Sequence, residues 1–123
     1  MTAAQRGKAG EDLAAAFLER EGYSIVSRNF HCRGGELDMV AIKGEILAFV
    51  EVRTRKQGGM VAPAESVTAA KRNKIVTAAY AFLDQYPPLA QPLQPRFDFV
   101  SIEAAGDDPK GWKIDHLCDA FQL

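Results

Sequence analysis

The chain has 123 residues, of which 47% are hydrophobic and 25% charged, and its formal net charge is −1. This size and composition predict one soluble globular domain over residues 1–123, and the charge argues against a strongly basic nucleic-acid coat. The longest apolar run near the start, Leu13–Leu18, is too short to span a membrane, and two cysteines make no disulfide framework, so we expect a cytoplasmic protein.

The first predicted element is a helix over about residues 7–22 that ends at Gly22. Glu11 lies at the edge of its apolar stripe, so its side chain could face a sheet. An acidic residue in the first turn also favours the helix dipole, which is the simpler explanation of Glu11 taken alone. The stripe itself has helical spacing and consists of Leu13, Ala14, Phe17 and Leu18.

A β-hairpin follows a predicted strand over residues 23–29. Its turn is most simply Gly44-Glu45, a two-residue loop of the kind that closes hairpins. With this turn, Lys43 pairs with Ile46. Both faces of the hairpin are apolar, so we expect helices to cover the sheet on both sides.

Four charged side chains lie at the open end of this hairpin. Counting outward from the turn places Asp38 opposite Glu51 and Glu36 opposite Arg53, with all four on one face. Like charges directly opposite each other destabilise a sheet. The two acids therefore either lie in water or hold a cation, and partial burial would strengthen their effect on a metal. The simpler alternative is a solvated cluster with a Glu36–Arg53 surface pair.

The second half of the chain predicts one more helix and two strands. The helix covers about residues 68–86, with Ser66 or Thr68 as its cap. After a stiff proline-rich connection, strands are predicted over residues 96–103 and 112–118. The resulting order, α-β-β-β-α-β-β, predicts an α/β fold with a mixed central sheet and helices on both faces.

Basic residues follow the acidic cluster. Residues 53–74 carry six basic side chains against one acidic side chain, a net charge of +5. Such a stretch could contact phosphates. Cations in the first turns of a helix oppose its dipole, so their presence there favours a phosphate partner near that end of the helix. A solvated loop and helix face explains the charge equally well. The residues predicted to bind nucleic acid are Arg55, Lys56, Lys71, Arg72 and Lys74.

Several short segments occur in a distinctive order: Gly-Glu-Asp-Leu-Ala at 10–14, Gly-Glu-Leu-Asp at 35–38, Phe-Val-Glu-Val-Arg-Thr-Arg at 49–55 and Arg-Phe-Asp at 96–98. With Glu11, Asp38 and Glu51 among them, they resemble the PD-(D/E)xK nuclease superfamily. More closely, they resemble the uncharacterised bacterial YraN-type family, which is related to archaeal Holliday-junction resolvases.

This resemblance implies a restriction-endonuclease-like fold and metal-dependent cleavage of phosphodiester bonds. Asp38 and Glu51 would bind Mg²⁺ or Mn²⁺, the backbone carbonyl of Val52 would add a ligand, and Glu11 would complete or orient the site. An oxygen shell of this kind suits Mg²⁺. We therefore predict an enzyme, a metal-dependent endonuclease for branched or other non-duplex DNA, that forms a homodimer as related resolvases do.

Arg53 departs from the superfamily motif, which usually has lysine at this position. Arginine stays protonated and cannot take a proton from water, but it can hold a phosphate in bidentate geometry. A catalytic role and a structural salt bridge to Glu36 or Glu51 are both open. The alternative functions are a non-catalytic nucleic-acid-binding module on a nuclease scaffold and, given the mild charge, a protein-interaction domain.

Two other groups of residues are weaker candidates for a functional site. Asp98 could lie near the site, although pairing with Arg96 or Arg53 is the ordinary expectation. Four soft side chains could bind zinc in principle: His31, Cys32, His116 and Cys118. His31 and Cys32 are adjacent on a strand and point to opposite faces, so they cannot easily share a zinc ion.

Overall fold

The computed structural model describes residues 1–58, 68–86 and 93–122. Within these ranges the elements follow the predicted order α-β-β-β-α-β-β. The helices are α1 (Ala3–Arg20) and α2 (Ala69–Gln85), and the strands are β1 (Ser24–Cys32), β2 (Gly35–Lys43), β3 (Ile46–Lys56), β4 (Gln94–Ala104) and β5 (Lys113–Phe121). A short 3₁₀ turn, Pro109–Gly111, precedes β5.

The five strands form one mixed sheet in the order β1-β2-β3-β4-β5. β3 and β4 are parallel, and the other neighbouring pairs are antiparallel. α1 covers one face of the sheet and α2 covers the other. The predicted α/β class, mixed sheet and helices on both faces are confirmed, and the arrangement is compatible with a restriction-endonuclease-like core.

Each helix closes one half of the hydrophobic core. Leu18 of α1 packs on the sheet residues Met39, Ala41, Val50 and Val100. On the other face, α2 packs on a second group of buried side chains that includes Leu37, Val40, Leu47, Phe49 and Phe97. Within the described ranges, no helix combines the length and the apolar character needed to cross a membrane.

The hairpin turn is the predicted one. Lys43 pairs with Ile46, and the register continues through Val40 and Phe49. Gly44 has a φ of 59°, the left-handed conformation that glycine adopts without steric cost at the first position of such a turn. The register of β2 against β3 near the turn is therefore set by two residues.

Several element boundaries differ from the predicted ones. α1 begins at Ala3 rather than near residue 7, because Thr2 and Gln5 form a capping box with hydrogen bonds of 2.8 and 3.1 Å. β4 includes Pro95, which the prediction placed in the connection. Thr68 caps α2, while the alternative cap Ser66 and most of the proline-rich connection lie outside the described residues.

The pairing of β2 with β3 stops before either strand ends. It runs from the turn to the pair Met39–Val50. Beyond that pair, β2 stays paired with β1 as far as Gly35, and β3 stays paired with β4 as far as Lys56. The sheet therefore divides after Val50, and we call the gap between residues 35–38 of β2 and residues 51–56 of β3 the fork.

The alternation predicted for β2 is wrong at its first residues. The pattern placed Leu37 on the same face as Met39, but Leu37 packs under α2 and Met39 packs under α1. The change of face occurs at Asp38, where the ladder with β3 has ended. β2 is still paired with β1 on both sides of Asp38, but that pairing skips Asn29, whose φ of 54° is left-handed, so the regular alternation is interrupted there.

A glycine allows α1 to approach β3 closely. A methyl group at Gly10 would overlap the side chain of Thr54, whereas a methyl group at Gly7 would meet nothing within 4 Å. We expect Gly10→Ala to lower the free energy of unfolding by about 1–3 kcal/mol through overpacking. Gly7→Ala, the matched control, should raise it by up to about 1 kcal/mol through helix propensity. Urea unfolding measures both, and equal effects would contradict this contact.

Candidate metal centre in the fork

The Asp38 side chain closes the start of the fork. Its Oδ2 accepts a hydrogen bond of 2.7 Å from the backbone N–H of Val52. A carboxylate thus takes the place of the carbonyl that β2 would supply in a regular ladder. Because the N–H and C=O of one strand residue lie on the same side, the Val52 carbonyl also faces the fork.

Asp38 and Glu51 share this space. Burial raises the pKa of Asp38 to about 8, helped by the charge and hydrogen bond of Glu51 and opposed by the Val52 N–H. Glu51 is itself only 7% exposed. Two carboxyl groups this close do not both ionise at low cost. The pair therefore either retains a proton near neutral pH or takes up positive charge.

Glu11 approaches the same carboxylates from α1. It is half-buried next to Gly10, and its charge adds to the rise in the pKa of Asp38. The close packing of Gly10 on Thr54 brings this part of the helix onto β3. Glu11 therefore lies near enough to Asp38 for its charge to act there, and a role of Glu11 in holding a metal stays a prediction.

Lys71 supplies positive charge at this site. Its Nζ lies 2.7 Å from Oε1 of Glu51. The Oγ1 of Thr68 accepts a hydrogen bond of 3.2 Å from the Lys71 N–H, which fixes the start of α2. Gly35 brings β2 against α2, since a methyl group there would overlap the backbone carbonyl of Lys74. The first turns of α2 therefore lie over the fork.

A cavity of about 230 Å³ lies between β3 and the start of α2, with Glu51, Glu36, Lys71 and Lys74 in its lining. Glu36 and Lys74 also border a second depression of about 430 Å³ that continues to His31 at the end of β1. The two cavities thus share Glu36 and Lys74 in their lining.

The predicted nucleic-acid-binding residues do not form one surface. Lys71 and Lys74 line the cavity beside Glu51. The guanidinium of Arg72 lies instead over the aromatic ring at the end of β5, 5.6 Å from its centroid. Arg55 and Lys56 border two other depressions further along β3. The predicted basic residues thus border several different depressions and contacts rather than the candidate site alone.

Arg53 lies half-buried on β3, two residues beyond Glu51. Glu36 forms an ion pair with His31, with 3.3 Å between Oε2 and Nδ1. Lys71 was predicted only as a phosphate contact, and its pairing with Glu51 was missed. No short-range sequence signal gives this pairing, because it depends on how α2 packs across β2.

A second polar cluster surrounds Asp98, which is 1% exposed. Nε and Nη2 of Arg96 each donate to it at 2.7 Å, and Nε2 of His116 lies 2.8 Å from Oδ2. Burial alone would raise the pKa of Asp98, but these hydrogen bonds and one from the Asp119 N–H lower it to about 2. The expected pairing with Arg96 is confirmed, and its sequence signal is the same-face spacing of the two residues.

Cys118 joins this cluster, and its ligand atom and those of Asp98 and His116 lie within 4.8 Å of one another. Both Asp98 oxygens already accept hydrogen bonds from Arg96, so the group is chiefly a salt-bridge network. The remaining soft side chains, His31 and Cys32, lie on β1, at the opposite edge of the sheet from β5. The four soft side chains therefore do not converge on one zinc ion.

The donors in the fork suit a hard divalent cation. Asp38, Glu51 and the Val52 carbonyl offer oxygen atoms only, and burial and the neighbouring Glu51 raise the pKa of Asp38, so a nearby cation would favour its ionised form. Mg²⁺ and Mn²⁺ prefer such ligands and keep several waters and substrate oxygens in their shell. The residues present thus fit the metal that the sequence resemblance implies.

Residues 10–102 match the sequence model of a family described as "Uncharacterised protein family UPF0102". A UPF0102 protein of Geobacter sulfurreducens is 45% identical over 117 residues, which cover 95% of this chain and 88% of the relative. A UPF0102 protein of Clostridium perfringens is 41% identical over 114 residues, covering 93% and 91%. One of Chloroflexus aurantiacus is 42% identical over 100 residues, covering 81% and 80%. The chain belongs to the uncharacterised protein family UPF0102, as the resemblance to the YraN-type family indicated.

Proposed function

We propose that this protein is a metal-dependent DNA endonuclease that hydrolyses phosphodiester bonds in branched or other non-duplex DNA. The observation that carries the proposal is the meeting of Asp38, Glu51 and the Val52 backbone in the fork, where the pKa of Asp38 is raised to about 8. Lys71 and Lys74 beside this site supply positive charge for a phosphate. The preference for branched DNA rests on the resemblance to junction resolvases.

Each residue of the fork would have a separate role in the reaction. A bound Mg²⁺ or Mn²⁺ would polarise the phosphate and lower the pKa of a nearby water. Asp38 and Glu51 would hold the ion together with the Val52 carbonyl, and the Asp38 carboxyl would give up its proton in doing so. Arg53 would stabilise charge on the phosphate rather than take a proton.

Cleavage assays with the wild type test this proposal. The protein is incubated with four-way junction, flap, single-stranded and duplex DNA, in Mg²⁺, in Mn²⁺ and with chelator. We expect cutting of branched or single-stranded DNA that stops with chelator and in Glu51→Ala. Glu45→Ala, which removes an exposed acid in the hairpin turn, serves as the matched control. The proposal is refuted if no DNA is cut in either metal, and calorimetry then decides separately whether the fork binds metal.

A homodimer is part of this proposal, because two opposed strands of a junction need two cuts. Sedimentation equilibrium of the protein with and without junction DNA measures the number of copies. A monomer in both conditions would limit the activity to single cuts.

Arg53 favours a second candidate, a nucleic-acid-binding module that does not cut. The motif position usually holds lysine, and an arginine cannot act as a base there. This candidate predicts junction binding that is independent of metal and unchanged in Asp38→Ala. Binding that requires the metal, or cleavage lost in that variant, would exclude it.

A further inference from the structure

The ion pair between Lys71 and Glu51 lies inside the candidate site. The Lys71 side chain is 34% exposed and that of Glu51 is 8% exposed, with 2.7 Å between Nζ and Oε1. The ammonium therefore contacts the carboxylate from its solvent side, at the wall of the cavity. An ion pair in this position is partly shielded from water and stronger than an exposed one.

The Lys71 ammonium and a divalent cation need the same carboxylate. Glu51 is nearly buried, so an approaching ion meets it from the cavity side that Lys71 occupies. Lysine is a compact charge on a flexible stem, and it can leave one oxygen for another nearby without moving the helix. The start of α2 stays fixed by the Thr68 cap and by the contact with Gly35.

We propose that Lys71 is the lysine of this site, supplied from α2, where the strand motif has Arg53. In the metal-free protein Lys71 neutralises Glu51. When Glu51 takes up a divalent cation, Lys71 releases it and contacts a non-bridging oxygen of the phosphate in the cavity. This inference rests on the proposed function, because it assigns Lys71 a role toward the same metal and substrate.

Titration of the protein with Mn²⁺ alone tests the competition at Glu51. We expect Lys71→Met, which keeps the length of the side chain and removes its charge, to raise the affinity for Mn²⁺ by about 5- to 10-fold. Lys71→Arg should remain close to the wild type. The matched control is Lys110→Met, which removes the same charge from an exposed lysine on the 3₁₀ turn before β5, outside the candidate site. Its affinity for Mn²⁺ should stay within about 2-fold of the wild type.

Cleavage at saturating Mn²⁺ tests the phosphate contact. Lys71→Met should cut about 10²-fold more slowly, the usual loss when one donor to a developing charge is removed, and Lys71→Arg should recover most of the rate. A variant Lys71→Met that binds Mn²⁺ and cuts like the wild type would overturn the inference and leave the nuclease proposal standing. A wild type that binds Mn²⁺ and cuts nothing would refute the nuclease proposal and, with it, the contact of Lys71 with the phosphate. In that case the Mn²⁺ affinities of the variants still decide whether Lys71 competes with the metal for Glu51.

Discussion

Replacing Asp38 by asparagine is expected to abolish DNA cleavage and, at the same time, to stabilise the metal-free protein at pH 8. The amide removes a metal ligand, so we expect a loss of at least about 10³-fold in cleavage rate, since the ion contributes several kcal/mol to catalysis. The amide oxygen can still accept from the Val52 N–H. Its NH₂ group can donate to Glu51, which a carboxylate cannot do.

The sign of the stability change follows from the pKa of Asp38. Burial and the neighbouring Glu51 raise this pKa from 3.8 to about 8 in the folded protein. Between these values the folded chain binds more protons than the unfolded chain, so the free energy of unfolding falls as pH rises, by at most about 1.4 kcal/mol per pH unit. The penalty is absent below 3.8 and complete above about 8. Asp38→Asn should remove this penalty. We expect the free energy of unfolding at pH 8 to rise by about 2 kcal/mol, less than the full pKa shift would give, because water relaxes around a half-buried group.

Urea unfolding of the metal-free proteins at several pH values between 4 and 8.5 measures this effect. The matched control is Asp84→Asn on α2, which removes an exposed carboxylate far from the fork and should leave both cleavage and the pH profile unchanged. An Asp38→Asn variant with the same pH dependence as the wild type would show that Asp38 ionises normally. It would also remove the main electrostatic argument for the metal centre.

Replacing Asp98 by alanine should cost about 3–5 kcal/mol of folding stability at pH 7, because it removes a fully buried carboxylate and leaves the half-buried Arg96 without its anionic partner. Arg96 has both of its hydrogen bonds to this carboxylate at 2.7 Å, and its side chain is only 20% exposed. His116 and the Asp119 N–H lose the same acceptor. We expect this to be the largest effect of any single acidic residue on stability, and urea unfolding measures it.

Asp12→Ala is the control for Asp98→Ala. Asp12 also has two basic partners, Lys8 and Arg28, but its side chain is 53% exposed, so its loss should cost only about 0–1 kcal/mol. Since the pKa of Asp98 is lowered to about 2, its stabilising effect is complete above 3.8 and is lost as pH falls through 2. A cost below about 1 kcal/mol at pH 7 would contradict a structural role for this cluster.

The hairpin and the fold class could be predicted because local chemistry determines them. The pair Gly44-Glu45 fixes the turn, and apolar residues on both faces of β2 and β3 require a helix on each side. The fork could not be predicted in this way. It begins where a side chain–backbone hydrogen bond, from the Val52 N–H to Asp38, stands in for a ladder bond. Alternation and propensity contain no information on such a bond.

The carboxylates of the candidate site were found from sequence, but their cation was not. Asp38 and Glu51 come from adjacent strands of one hairpin, so counting along the strands brings them together. Lys71 comes from a helix whose position over the sheet depends on the contact between Gly35 and the α2 backbone. That contact joins residues far apart in the chain, and only the packed structure determines it.

The fork also means that the two acidic ligands belong to separately paired parts of the sheet. Asp38 lies in the β1–β2 pair and Glu51 in the β3–β4–β5 unit, and the rung Met39–Val50 is the last backbone pairing between them. A divalent cation chelated by both residues would cross-link the two parts. The amide protons of this rung should then exchange with solvent more slowly in Mn²⁺ than in chelator, so that metal occupancy becomes visible in hydrogen exchange without any DNA.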